Sequence, residues 1–186
     1  MKRLKNNKVA LSNVISTLII LVVSVLLAGV VSMYAVNITS TRTQQEALKL
    51  TKQEIWVYGN GTAYAALAID NVGGRDVVID KIQVRGVEAS WSNVYYIRRS
   101  SAISTSLNCP DATPTWTNFT YTSGQTATFT NDTNDKPLAS GDTMILYIRN
   151  PESVSISDIG VTIGITVFTE NAQYYVECNV KSAESA

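Results

Sequence analysis

Histidine is absent from this 186-residue sequence, and cysteine occurs only twice. Without histidine there is no Ser-His-Asp or Cys-His catalyst, and the commonest metal ligand is missing. Two cysteines are too few for a four-thiolate zinc site. Charge is sparse at 16% of residues and balanced at 15 basic against 15 acidic side chains, which argues against a basic nucleic-acid-binding surface. Asp132, Asp135 and Asp142 do not fit the calcium-loop spacing. No nucleophile–base pair, paired carboxylates or phosphate loop stands in a suitable context, so the chain reads as a non-enzyme without cofactor or metal. The most informative absence is local: no charged residue lies between Lys8 and Arg42.

Lys2, Arg3, Lys5 and Lys8 precede that interval, which from Leu11 to Val36 is mostly Leu, Ile, Val, Ala, Ser and Thr. It is longer than a secretory h-region of about 7–15 residues and exceeds the ~20 residues that cross a bilayer as a helix. The basic flank is expected to stay cytoplasmic, with the remainder exported. Ser12, Asn13, Ser16, Thr17, Ser24 and Ser32 interrupt the run. Ser and Thr are accommodated by bonding back to the helix, and small residues such as Ala28 and Gly29 allow close helix approach. Both a lone anchor and a self-associating helix fit. Residues 37–54 lack Pro and Gly, and Ile38, Thr41, Leu48 and Ile55 recur at spacings of three and seven. The pattern therefore predicts one helix over 11–54, ~65 Å long at 1.5 Å per residue, with a flexible stalk as the alternative for its second half.

From Trp56 the period becomes two. Rows such as Ala63/Ala65/Leu67/Ile69, Met144/Leu146/Ile148, Val161/Ile163/Ile165/Val167 and Tyr174/Val176/Cys178/Val180 predict strands with one buried face. Asn60-Gly61 marks a hairpin, and Gly73-Gly74, Ser140-Gly141-Asp142 and Asn150-Pro151 mark turns. Eight or nine strands over 55–186 with no helical pattern between them predict an antiparallel sandwich, least defined over the Ser/Thr-rich residues 100–140. The fold class is α+β.

Cys178 shares its strand face with Val176 and Val180, and in an exported domain a Cys109–Cys178 disulfide is expected, the alternative being two buried thiols. Four Asn-x-Thr sequons begin at Asn37, Asn60, Asn118 and Asn131. Asn118 and Asn131 sit in polar sequence, Asn60 doubles as a turn residue, and Asn37 falls within the expected helix. Trp91, Tyr95, Tyr96 and Trp116 are either core or surface-binding aromatics, and Arg98-Arg99 either bridges to acidic neighbours or is a solvated loop.

The stretch Lys8-Val9-Ala10-Leu11-Ser12-Asn13-Val14-Ile15-Ser16-Thr17-Leu18-Ile19 resembles the start of an archaeal type IV pilin precursor, in which a short basic leader, the class III signal peptide, precedes a retained apolar helix. The resemblance implies a leader over 1–10, cut between Ala10 and Leu11 by a prepilin peptidase at the cytoplasmic face. It implies a filament-core helix over 11–54, packing through Leu11, Val14, Ile15, Leu18, Leu21, Val22, Val25, Ala28 and Gly29. It also implies an exported immunoglobulin-like β domain over 55–186, whose recurring turns resemble Leu67–Gly74 and Ser140-Gly141-Asp142. The partners implied are other copies of the chain in a helical homopolymer, an assembly ATPase, a membrane platform protein and the external surfaces to which such pili attach. Asn13 stands where many archaeal pilins carry proline. Ile15 stands at the fifth mature position, where bacterial pilins carry glutamate. An archaellin of a rotary filament matches less well, since its leader resembles Lys/Arg-Gly before a Gly-containing segment. A membrane-tethered, sugar-binding surface protein is the remaining alternative. Removal of the leader leaves eleven Lys/Arg against 15 Asp/Glu, a mature net charge of −4.

Overall fold

A computed structural model of the chain describes residues 7–183, excepting the side chains of residues 7–10, 42 and 43. Lys2, Arg3 and Lys5 of the expected leader lie outside the described residues. The chain divides into two compact units, one ending at Thr43 and the other beginning at Gln44. The first is a single helix, α1 (Asn7–Thr43), of 37 residues, or about 55 Å. It runs without a break across the Ala10–Leu11 peptide and through Asn13.

The second unit carries eleven strands: β1 (Leu48–Tyr58), β2 (Ala63–Asn71), β3 (Val77–Val84), β4 (Val87–Glu88), β5 (Val94–Arg99), β6 (Phe119–Thr122), β7 (Gln125–Ala127), β8 (Lys136–Leu138), β9 (Thr143–Arg149), β10 (Thr162–Thr169) and β11 (Gln173–Ala183). Their order is β4-β3-β10-β11-β1-β2-β9-β5, with β8 on β3 and a separate β6–β7 hairpin. This is the two-sheet immunoglobulin arrangement, β1-β2-β9-β5 facing β3-β10-β11. The sheets are joined by a parallel pairing of β1 with β11, Ile55 opposite Val180. Residues 100–142, between β5 and β9, are an insertion into that scheme.

The helix expected to reach residue 54 ends eleven residues earlier, and residues 48–54 are strand. The cause is a bulge. Thr51 pairs with Ala68 and Glu54 with Ala66, so β1 has one residue too many there, and Lys52 adopts φ 55°. Leu48 and Leu50 face the core before the bulge, and Ile55 and Val57 after it. The parity switch breaks the period-two signal and produces a helix-like spacing by coincidence. Just before β1 the backbone passes close to the turn after β2. Gly73 donates to Ala47 O (3.0 Å) and Gly74 to Gln45 O (3.2 Å). A Cβ on Gly73 would lie 2.6 Å from Gln45 O and 2.7 Å from Ala47 N.

Two apolar cores result. One lies between the sheets and includes Ile55, Leu67, Ile69, Ile79, Ile82, Leu146, Ile165 and Val167. The other lies on the opposite face of β1-β2-β9-β5, where Trp56, Tyr58, Tyr64 and Tyr147 meet Leu107, Tyr121 and Phe129 of the insertion. The insertion is a third layer, so β2 and β9 are buried on both faces.

Candidate functional site

In α1 the segment Leu11–Thr41 is long and apolar enough to cross a membrane. Every side chain over 11–41 is exposed. Leu11, Leu18, Leu21 and Val25 are each more than 60% exposed, with Ile15 and Val22 near half. Nothing approaches within 4 Å of where a Gly29 Cβ would sit. Four of the hydroxyls are absorbed locally: Thr17 donates to Val14 O (2.9 Å), Ser24 to Leu21 O (2.8 Å), Thr39 to Ala35 O (2.9 Å) and Thr41 to Asn37 O (2.9 Å). A helix apolar all round has no amphipathic face to lay on a soluble core. Its length and composition fit a membrane anchor or a signal sequence.

The β unit places the remaining candidates. Cys109 and Cys178 are free thiols, which corrects the expected disulfide. Cys178 packs against the inter-sheet core and Cys109 against the outer one, on opposite sides of the β1-β2-β9-β5 sheet. A disulfide needs the two Cβ atoms turned toward each other, and these two side chains pack into different cores. Burial pushes the Cys178 thiol up to about 11. Burial also raises the Cys109 thiol, whose sulfur lies 3.6 Å from Tyr58 Oη.

Of the two readings of Trp91, Tyr95, Tyr96 and Trp116, the structure supports the core one. Tyr95 stacks on Trp116 with centroids 4.2 Å apart, and Trp116 also meets Tyr64, Phe119, Phe129 and Tyr147. Trp91 and Tyr96 clamp the buried ammonium of Lys136, with ring centroids 4.6 and 4.9 Å from Nζ. Lys136 Nζ donates to the Asp132 carbonyl (3.0 Å), to Asp132 Oδ1 and to the Asn134 carbonyl, satisfying all three protons. Tyr96 donates to Asp132 Oδ2 (2.5 Å). Hydrogen bonds from Lys136, then from Tyr96, hold the Asp132 carboxyl down to about 2. Asp132 is thus an ion-pair partner, and no cluster of three metal-ligating side chains occurs among the described residues. Arg98 donates to Pro137 O (2.7 Å) and Arg99 to Tyr121 Oη (2.5 Å), so both bind within the chain. Tyr175, which the sequence did not single out, is 62% exposed. Its ring covers Gly164 so closely that a Cβ there would lie 2.3 Å from it.

Three tyrosines tie down the insertion. Tyr147 donates to Asn108 O (3.0 Å), Tyr58 to Pro110 O and Tyr64 to Ala112 O (3.3 Å). Alternate carbonyls of one extended segment each receive one phenol. The signal available beforehand was the tyrosine spacing in β1, β2 and β9, but their acceptors are backbone atoms and invisible to sequence.

The sequons differ in their amides. Asn131 Nδ2 points at the carbonyls of Trp91 (3.3 Å), Ser92 (2.8 Å) and Val94 (3.1 Å). Asn60 Oδ1 accepts from Thr62 N (2.9 Å) within the β1–β2 turn. Asn118 is exposed, at φ 60° just before β6. Beside it lies an open groove of about 520 Å3, walled by Asp111, Thr113, Thr115, Thr117 and Thr120. Asn37 is exposed on α1.

No family model and no curated protein matches the chain. Among solved structures, a copper-bound PCuAC domain from PmoF2 is similar at 11% identity and a TM-score of 0.34, covering 75% of this chain and all of that one.

Proposed function

We propose that the chain is the structural subunit of an archaeal type IV pilus, a non-enzymatic filament protein that polymerises through α1 and serves surface attachment. The observation that carries this reading is the 31-residue Leu11–Thr41 segment, charge-free and without one buried side chain, ahead of a β-sandwich that has its own cores. In the membrane, lipid solvates that segment. On extraction it must meet the helices of neighbouring copies, and its burial from water at ~25 cal/mol per Å2 is worth tens of kcal/mol gross. Leaving lipid forfeits most of that gain, so assembly is driven by an ATPase acting with the membrane platform. Copies related head to tail generate an open helix.

The basic leader holds the precursor in the cytoplasmic membrane, because lysines and arginines resist crossing it. A prepilin peptidase cutting after Ala10 releases the subunit for extracellular assembly, and the acidic β domain forms the outer sheath. The test is electron microscopy of purified surface filaments with N-terminal mass spectrometry of their subunit. A filament subunit beginning at Leu11 is expected. A soluble monomer beginning near residue 36 would overturn the reading.

A further inference from the structure

The four sequons are equivalent as sequence, but their side-chain amides are not. A glycan on asparagine replaces one of the two Nδ2 protons. At Asn131 both protons are engaged among three carbonyls of the segment leading into β5. A sugar there would strand an acceptor and force bulk against residues 91–94, a costly exchange for backbone groups that need partners. At Asn60 the amide oxygen accepts from Thr62 N, which fixes the side chain within the hairpin turn but leaves both Nδ2 protons free, and no groove lies beside it to hold a sugar among the described residues. Asn37 lies within the apolar Leu11–Thr41 segment. At Asn118 no hydrogen bond holds the side chain among the described residues, and the residue itself lines the threonine-walled groove.

We propose that Asn118 carries an N-linked oligosaccharide whose first sugars lie along this groove, and that Asn131 stays unmodified as a structural clasp. The threonine hydroxyls at 113, 115, 117 and 120 and the Asp111 carboxylate supply donors and acceptors suited to sugar hydroxyls. The donor is a lipid-phosphate-linked oligosaccharide used by a transferase outside the cytoplasm. The Asn118 amide nitrogen bonds to the anomeric carbon, the carbon–oxygen bond to the phosphate breaks, the lipid phosphate leaves with the electron pair, and the amide gives up one proton. The inference rests on the export element of the proposed function and not on filament assembly.

The test uses the protein isolated from its producing cells. No Lys or Arg lies between Arg99 and Lys136, so trypsin leaves both sequons on one peptide. Chymotryptic cleavage after Tyr121 or Phe129 separates them. Added hexose-type mass on the Asn118 peptide is expected, with none on the Asn131 peptide and loss of that mass in Asn118→Gln. A bare Asn118, or equal occupancy at Asn131, overturns the proposal. Hydrogen exchange over residues 113–120 is expected to quicken in Asn118→Gln, and unchanged exchange overturns the groove contact. Labelling of Lys49 on intact cells with a membrane-impermeant amine reagent separates the two ideas. Labelled protein with a bare Asn118 sinks this inference alone, whereas unlabelled protein sinks export and this inference together.

Discussion

Removing the hydroxyl of Tyr147 isolates one clamp of the third layer. Tyr147 is fully buried, so Tyr147→Phe deletes one oxygen and leaves almost no cavity. Its two acceptors fare differently. Tyr121 O also accepts from Asn108 N (2.8 Å) and stays satisfied, whereas Asn108 O loses its phenol. The Tyr147–Asn108 bond is only part-buried, so its loss costs about 1 kcal/mol, a fall of roughly 3 °C in Tm. Tyr64→Phe removes a longer bond of 3.3 Å and is expected to cost about 0.5 kcal/mol. The assay is thermal and urea unfolding of the full chain in detergent, with hydrogen exchange localising the change to residues 105–115.

The same phenols set an alkaline limit. Burial raises Tyr147 and Tyr58 above the ordinary 10. Unfolded phenols ionise near 10 while these stay neutral in the fold. Their contribution is complete below pH 10 and is lost as pH climbs toward the folded values. Titration at 295 nm should therefore leave these phenols un-ionised until far-UV circular dichroism collapses. Full ionisation of all nine tyrosines with the fold intact, or a Tyr147→Phe variant as stable as wild type, would refute the reasoning.

Lys136 has a 1% exposed side chain and Asp132 a 40% exposed one, so their losses are asymmetric. Asp132→Asn leaves a buried ammonium without its counter-charge and should cost more than Lys136→Met, which leaves a carboxylate that water can reach; the order of the two losses is read by tryptophan fluorescence during unfolding. The Asp132 carboxyl is lowered from 3.8 to about 2, so its contribution is present above pH 4 and fades as pH falls toward 2; an acid midpoint identical in wild type and Asp132→Asn contradicts this. Gly73→Ala drives a Cβ into the Gln45 and Ala47 backbone and should destabilise by about 2 kcal/mol, against near-neutral behaviour for Gly59→Ala, which has open space. Thiol titration of unreduced, unfolded protein should count two free thiols. In the folded protein, raised thiol ionisation should slow alkylation at pH 8.

The sandwich was legible wherever one face was buried and the register unbroken. β10 and β11 show why: Ile163, Ile165 and Val167 alternate with polar or partly exposed neighbours, as the sequence predicts. β1 was hidden by the extra residue around Lys52, which shifts the inward set from even to odd positions. The third layer was hidden because its core is dispersed: Trp116, Phe119, Tyr121 and Phe129 stand among Ser and Thr with little regular period. Its partners lie on the faces of β1, β2 and β9 that alternation alone assigns to solvent. The cysteine pairing failed for the same reason. Cys178 does face inward, but Cys109 belongs to a second core that the sequence pattern did not reveal. The apolar helix needed no tertiary context to be seen, since its signal is composition over more than twenty residues.

On the proposed function, folding and assembly draw on separate side chains. Over residues 11–41 no side chain is buried. The β unit is stabilised by two cores that contain none of those residues. A charge placed at Leu18 should therefore leave unfolding of the β unit within about 0.5 kcal/mol of wild type. The same charge at the centre of a membrane helix costs about 2.5–3.5 kcal/mol on insertion scales, and in a helix-packed filament core it is repeated in every subunit. Leu18→Arg is accordingly expected to abolish surface filaments while the β unit keeps its circular dichroism and melting temperature. Loss of the β fold in Leu18→Arg would show that the helix stabilises the sandwich, and normal filaments would show that the helix does not form the polymer's core.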